Sequence, residues 1–246
     1  MEFEQRTAIV TGAGSGMGRL ASERLAEQGA NVVVVEVNAE AAAAVATGIL
    51  AKGGAAVASV TDVRDYDQVQ AAVDLAISTY GAADIVINCA GGASARVWGR
   101  TEGFVDLDPK IIDWGIDVNF RGPIYFARAV FGHMIARGKG VIINLGSVEG
   151  VTGSCAAEYG ASKAGMIGLT KSLALLGAPH GVRACCVSPG PVLTRPAMAN
   201  MKTRLGRAAE PAEIVDLILY LCSDKAAFIT GQNYTIDGGR SLGGPE

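Results

Sequence analysis

Short runs of β-branched and other apolar residues alternate with longer stretches of helical periodicity along the whole chain. The runs predict strands over Thr7–Thr11, Asn31–Val35, Ala55–Val60, Asp84–Asn88, Val141–Leu145, Val182–Ser188 and Asn233–Ile236. Most are continuously apolar rather than alternating, the pattern of strands covered on both faces of a parallel sheet. Between them, helical patterns predict Arg19–Gln28, the Ala-rich Ala39–Ala51, Asp67–Tyr80, Ile111–Ile135, Glu158–Leu176 and Ala212–Ser223. Strand–helix alternation of this kind implies right-handed βαβ units, and so an α/β fold. The expected form is a Rossmann-type doubly wound parallel sheet with helices on both faces. No linker, repeat, charge block or low-complexity stretch divides the chain, so its 246 residues read as one domain.

Composition changes this picture in one respect. Half the residues are hydrophobic and mean hydropathy is +0.30, which sets a membrane span against extra burial at subunit contacts. A spanning helix needs about 20 consecutive apolar residues, and runs such as Val32–Val35 are short and end on charged residues. Met1–Thr7 is polar and acidic and carries no apolar signal region. A homo-oligomer away from the membrane is the better account. The formal charge is −3 and the basic residues are scattered, which argues against nucleic acid as a partner. The five cysteines form no framework spacing, and all but Cys155 lie among apolar residues. They read as buried free thiols in a reducing, cytoplasmic compartment. His133 and His180 stand at no metal-ligand spacing, so no metal is expected.

Two constellations carry chemistry. After the first strand comes Thr11-Gly12-Ala13-Gly14-Ser15-Gly16-Met17-Gly18, running straight into a helix. Glycines at such a turn let backbone N–H groups and the helix N-terminus approach a diphosphate. The spacing is G-x-x-x-G-x-G through Gly12, Gly16 and Gly18. No Lys-Ser/Thr pair follows, so it is not a P-loop. Glu36 closes the second strand about 20 residues on, where a carboxylate can accept from both hydroxyls of an adenosine ribose and would repel a 2′-phosphate. Val37 and Ser15 bring no positive charge, and Arg19 lies inside the first helical turn, so the expected cofactor is NAD.

The second constellation is Tyr159-Gly160-Ala161-Ser162-Lys163 with Ser147 twelve residues upstream at a strand end. A Tyr and a Lys four apart share a helix face. An ammonium near a phenol favours the phenolate, which is expected to pull the Tyr159 pKa down from about 10. Such a Tyr can exchange a proton with a substrate hydroxyl as hydride leaves the carbon.

With the glycine turn, these residues make the chain resemble the short-chain dehydrogenase/reductase family over essentially its whole length. Asp62-Val63 after strand three, Asn88-Cys89-Ala90-Gly91 after strand four, Asn119 in the long helix and Pro189-Gly190 after strand six add to the resemblance. It implies Tyr159 as catalytic acid/base, with Ser147 holding the substrate oxygen. Lys163 would also bind the nicotinamide ribose, and Asn119 would place a water in a proton relay. It further implies that Asp62 and Val63 flank the adenine, that Asn88, Ala90 and Gly91 stand beside the cofactor, and that Val192 and Thr194 meet the carboxamide. A homotetramer, or sometimes a dimer, built on Ile111–Ile135 and Glu158–Leu176 is implied as well.

The chain departs from the family pattern in places. The Ser147–Tyr159 spacing is one residue shorter than usual, which alters a pocket segment containing Glu149. The stretch from Arg195 to Leu205-Gly206-Arg207 is short for a substrate lid, consistent with an open, compact or partner-completed site. Cys185-Cys186 and Leu176 replace residues common in the family without touching the chemistry. Arg96, Trp98 and Arg100 follow Gly92 and suit a carboxylated or polyhydroxylated substrate, though a surface loop with solvated Arg side chains fits slightly better. The expected activity is hydride transfer between NAD(H) and the CH–OH/C=O carbon of a small secondary alcohol or ketone. A sugar, polyol, cyclic alcohol or hydroxyacyl compound would each serve. An NADPH-dependent carbonyl reductase and a non-catalytic NAD-sensing scaffold are the alternatives, disfavoured by Glu36 and by the intact Ser147, Tyr159, Lys163 and Asn119.

Overall fold

Strands that are apolar on both faces need cover on both, and the chain supplies it. The computed structural model describes residues 1–243. Seven strands pair in parallel: β1 (Thr7–Thr11), β2 (Asn31–Glu36), β3 (Ala55–Val60), β4 (Ile85–Asn88), β5 (Gly140–Leu145), β6 (Val182–Pro189) and β7 (Asn233–Ile236). Their order is β3-β2-β1-β4-β5-β6-β7, a doubly wound sheet whose direction of winding reverses between β1 and β4. In such a sheet the crevice at the carboxyl ends of the strands, beside that reversal, is where ligands bind.

The register sorts the core. Ile9, Val33, Val86, Ile142 and Ala184 stand in one row across the sheet, and Val10, Val34, Ile87, Ile143 and Cys185 in the next. The first row faces α3 (Tyr66–Tyr80), α6 (Gly122–Arg137) and α8 (Ala157–Gly177) through Val73, Phe126, Met134 and Leu173. The second faces α1 (Gly16–Glu27), α2 (Ala39–Ala51) and α9 (Pro211–Cys222) through Leu25, Ile49 and Ile218. One row further toward the carboxyl ends the pattern turns polar, as Asn88, Asn144, Cys186 and Asn233 stand side by side. That row floors the crevice. Among the described residues, no helix is long and apolar enough to cross a membrane.

Most predicted elements differ from the observed ones by one residue at an end. Two differences matter. Helix α1 begins at Gly16, not Arg19, so the last glycines of the turn form its first turn. The predicted helix Ile111–Ile135 is interrupted: α5 (Pro109–Ile116) passes through a π turn, Asp117–Arg121, into α6. Pro123 supplies a reason, because it has no N–H to give the carbonyl four residues back, which belongs to Asn119. Two short helices complete the rim of the crevice, α4 (Ser94–Val97) and α7 (Glu149–Thr152). Cys185, Cys186 and Cys222 are buried and Cys89 partly so, while Cys155 is exposed, and all five are free thiols.

Candidate active site

The glycine turn is built by close backbone approach. A Cβ on Gly18 would fall 2.4 Å from the Gly12 carbonyl oxygen, and one on Gly12 would fall 2.8 Å from Ala90 Cα and N. Gly12 and Gly16 also adopt φ of +61° and +54°, a region side chains disfavour. The Ala90 N–H donates to Thr11 Oγ1 at 3.0 Å, which ties β4 to β1 at the reversal point. Ser15 sits at the N-cap of α1 without a side-chain capping bond, so the first-turn N–H groups face the crevice. Glu36 closes the other end. Its carboxylate accepts from Gly14 N at 3.1 Å, Val37 N at 2.9 Å and Asn38 N at 3.2 Å. Gly14 permits this approach, since a Cβ there would lie 2.9 Å from Glu36 Oε2.

This half of the crevice encloses about 540 Å³ and brings together Gly12, Ser15, Gly16, Met17, Gly18, Glu36, Asp62, Val63, Ala90, Gly91 and Thr194. Asp62 is held by Arg64, whose Nε lies 2.9 Å from Asp62 Oδ1, and that guanidinium keeps the carboxyl below its usual pKa. Asn88 lies beneath the crevice, its amide donating to Asn144 Oδ1 at 2.9 Å. A glycine cradle that a single Cβ would fill, a helix N-terminus and a carboxylate at the far end fit a dinucleotide.

The crevice continues past Met17, Cys89, Gly91 and Thr194 into a second cavity of about 260 Å³. Ser147 follows β5, and Tyr159 and Lys163 project from the first turns of α8, so all three line this cavity with Pro189, Gly190 and Val192. Ser147 Oγ accepts from Glu149 N at 3.1 Å and stands close enough to the Tyr159 hydroxyl to lower its pKa. Lys163 Nζ donates to the Leu145 carbonyl at 2.7 Å and lies 5.6 Å from the Tyr159 ring centroid. Burial brings the Lys163 pKa down to about 8.

The expected lowering of the Tyr159 pKa is not what this arrangement produces. Burial pushes the phenol up, and the Ser147 hydroxyl and the Arg96 and Arg195 charges offset only part of that. Asn119 lies beside Lys163, for a Cβ on Gly91 would meet Asn119 Oδ1 at 2.4 Å and Lys163 Nζ at 3.4 Å. Its side chain is engaged with backbone: it accepts from Gly92 N and donates to Gly92 O and Gly115 O, at 2.8–2.9 Å. The amide therefore clamps the loop after β4, and a relay water would have to meet the Asn119 backbone rather than its side chain.

Of the five residues expected near the substrate, Arg96, Glu149 and Arg195 line the cavity. Trp98 and Arg100 do not. Trp98 stacks edge-on with Trp114 at 6.3 Å, and Arg100 is paired with Glu102 on the surface. The short segment after Arg195 forms a 3-10 turn, Pro196–Asn200, and lays Met198 and Met201 against the cavity. Sequence reasoning missed Ser94 and Glu158. Glu158 precedes Tyr159 but is buried, accepting from the Ser94 N–H at 3.3 Å and from the Ser94 hydroxyl. The partners are 64 residues apart, so no local signal joins them.

Comparison with known proteins agrees with this geometry. The family model for short chain dehydrogenase matches residues 6–205. Cyclohexanol dehydrogenase of Acinetobacter sp. strain SE19 is 36% identical over 96% of this chain and 95% of its own length. Cis-4-hydroxycyclohexanecarboxylate dehydrogenase of Sinomonas cyclohexanicum is 35% identical over 96% of this chain and 97% of its own. The crystal structure of a 3-oxoacyl-[acyl-carrier protein] reductase with bound NAD from Brucella melitensis superposes with a TM-score of 0.90. It is 32% identical, covering 98% of this chain and 93% of that one. By fold and sequence alike, the chain belongs to the short-chain dehydrogenase/reductase family of oxidoreductases.

Proposed function

We propose that the protein oxidises a small secondary alcohol to its ketone with NAD+, and reduces the ketone in the reverse direction. The observation that carries this is the convergence of Ser147, Tyr159 and Lys163 on one cavity that opens onto the glycine cradle. When bound, NAD+ supplies the acceptor for the hydride. The residues supply the rest. Ser147 Oγ and Tyr159 Oη hold the substrate oxygen, and Tyr159, once ionised at alkaline pH, takes its proton as the C–H bond is broken and ends as the neutral phenol. Lys163, fixed by the Leu145 carbonyl, keeps its remaining donors for Tyr159 and the nicotinamide ribose. Asn119 orders the Gly91-Gly92 backbone beside them.

Glu36 supports NAD over NADP. Three backbone N–H groups hold its carboxylate at the cleft, where a 2′-phosphate would meet a fixed negative charge. Arg64, which lines the same cleft, is already taken by Asp62. The dehydrogenase names of the two curated relatives support a cyclic secondary alcohol as the substrate type. Initial rates with NAD+ and NADP+, measured at alkaline pH across cyclic alcohols, sugars, hydroxy acids and sterols, test this. Preference for NADP+ would remove the cofactor assignment, and inertness toward every secondary alcohol would remove the reaction.

A further inference from the structure

Two guanidinium groups in the catalytic cavity have no carboxylate to answer them. Arg96, from α4, and Arg195, just after β6, both line the space that holds Ser147 and Tyr159. Among the described residues neither forms an ion pair. Arg195 offers only a weak contact to the Met198 sulfur at 3.6 Å. Of the other arginines of the crevice and its rim, Arg64 is paired with Asp62, Arg100 with Glu102 and Arg207 with Glu213. Arg240, also in the cavity lining, forms no ion pair among the described residues and donates to the Lys202 carbonyl at 3.2 Å. Charged side chains lining the cavity number four basic (Arg96, Lys163, Arg195, Arg240) against one acidic, Glu149. The cavity lining carries an excess of basic groups.

The Arg96 side chain is exposed, but the helix that carries it is anchored. Two residues before it, Ser94 is fully buried and donates both its N–H and its hydroxyl to Glu158, itself only 5% exposed and adjacent to Tyr159. Gly115 of α5 closes this clasp from below, where a Cβ would fall 2.9 Å from Glu158 Cγ and 3.0 Å from Ser94 Cβ. The Arg96 guanidinium folds back over Gly92, with a position for Cβ there only 2.4 Å from Nη2. Burial and the neighbouring Arg195 both pull the Arg96 pKa down, and both charges reach Tyr159. Two like charges confined together repel, and an anion between them converts that repulsion into two charge-assisted hydrogen-bonding contacts.

We propose that Arg96 and Arg195 form an anion-binding end of the substrate site, and that the natural alcohol carries a carboxylate held there while its hydroxyl meets Ser147 and Tyr159. This assignment of substrate class rests on the alcohol-oxidation reading above. The diphosphate of a dinucleotide has its own cradle at α1, so these two arginines are left for the substrate, although they also border the cofactor cleft.

The test uses the NADH-saturated protein and cyclohexanecarboxylate, a ring acid with no hydroxyl to oxidise, titrated by calorimetry beside cyclohexanecarboxamide. The acid is expected to bind at least tenfold more tightly than the amide, and Arg96→Ala or Arg195→Ala to abolish that preference. In kinetics, the ratio of kcat/KM for 4-hydroxycyclohexanecarboxylate over cyclohexanol should fall at least tenfold in each variant, with Arg195→Lys retaining part of it. Equal binding of acid and amide by the unaltered protein would overturn the proposal. So would variants that weaken NADH binding while keeping the acid-to-alcohol ratio, because the arginines would then serve the cofactor. If neither alcohol is oxidised but the acid still binds through both arginines, the anion site stands and the reaction reading falls.

Discussion

At the scale of single residues, burial competes with charge around Tyr159. Tyr159→Phe keeps the ring and removes the hydroxyl proposed above to carry the substrate proton. Turnover should fall by about 10²–10⁴-fold, while NADH binding, read by fluorescence titration, stays within a few-fold. Residual activity above a tenth would remove Tyr159 from the role. Lys163 makes a prediction of opposite sign for stability. Its pKa is about 8 when folded against 10.5 when exposed, so below pH 8 the folded chain must hold a buried ammonium. As pH rises from 8 toward 10.5 the unfolded chain alone retains that proton, and the native state gains stability relative to it. Lys163→Met should therefore be more stable than the unaltered, cofactor-free chain at pH 7, by something on the order of 1–3 kcal/mol. The advantage should shrink by pH 10. Urea unfolding at the two pH values measures it, and a gap that widens with pH would contradict the account.

At the scale of elements, function depends on joints between helices rather than on the helices themselves. Ser94, Gly115 and Glu158 lock α4, α5 and α8 together at the catalytic end. Ser94→Ala leaves the buried Glu158 carboxylate short of a hydroxyl donor, and should cost about 1–3 kcal/mol in unfolding free energy. A change below about 0.5 kcal/mol would mean that Glu158 is satisfied elsewhere. The π turn is a second joint. Apolar periodicity alone reads Ile111–Ile135 as one helix, because apolar residues continue on both sides of the turn. Pro123 was the available signal, since a proline inside a helix always denies a donor to the carbonyl four residues earlier.

At the scale of the whole molecule, the outer face of α8 is nearly free of charge. Ala161, Ala164, Gly168, Leu175 and Leu176 are exposed along it, with Lys171 the one charged residue among the exposed positions of that helix. Leu175 is 79% exposed and Leu176 63%. Small and apolar residues spaced on one helix face suit close packing of a second helix, and a patch of this kind on an isolated chain signals a contact surface. We expect a homotetramer, or failing that a dimer, and analytical ultracentrifugation should give the mass. Leu175→Glu is expected to shift the population toward smaller species, and an unchanged mass distribution would place the contact on another face.

Much of this protein was readable before any fold was known, for a common reason. The doubly wound sheet, the glycine cradle, Glu36 and the Tyr159–Lys163 pair all depend on short-range spacing, which periodicity and i, i+4 geometry translate directly into position. Tertiary structure decided what depends on distant neighbours. Arg96 finds its companion in Arg195, ninety-nine positions away, and not in nearby Arg100, because Glu102 and the turn after α4 carry Arg100 outward. Glu158 stands in the sequence only as the first residue of a predicted helix, and packing buries it on Ser94. The Tyr159 phenol moved up rather than down because desolvation is set by everything packed around the ring, and a local sequence shows only the charge four residues on.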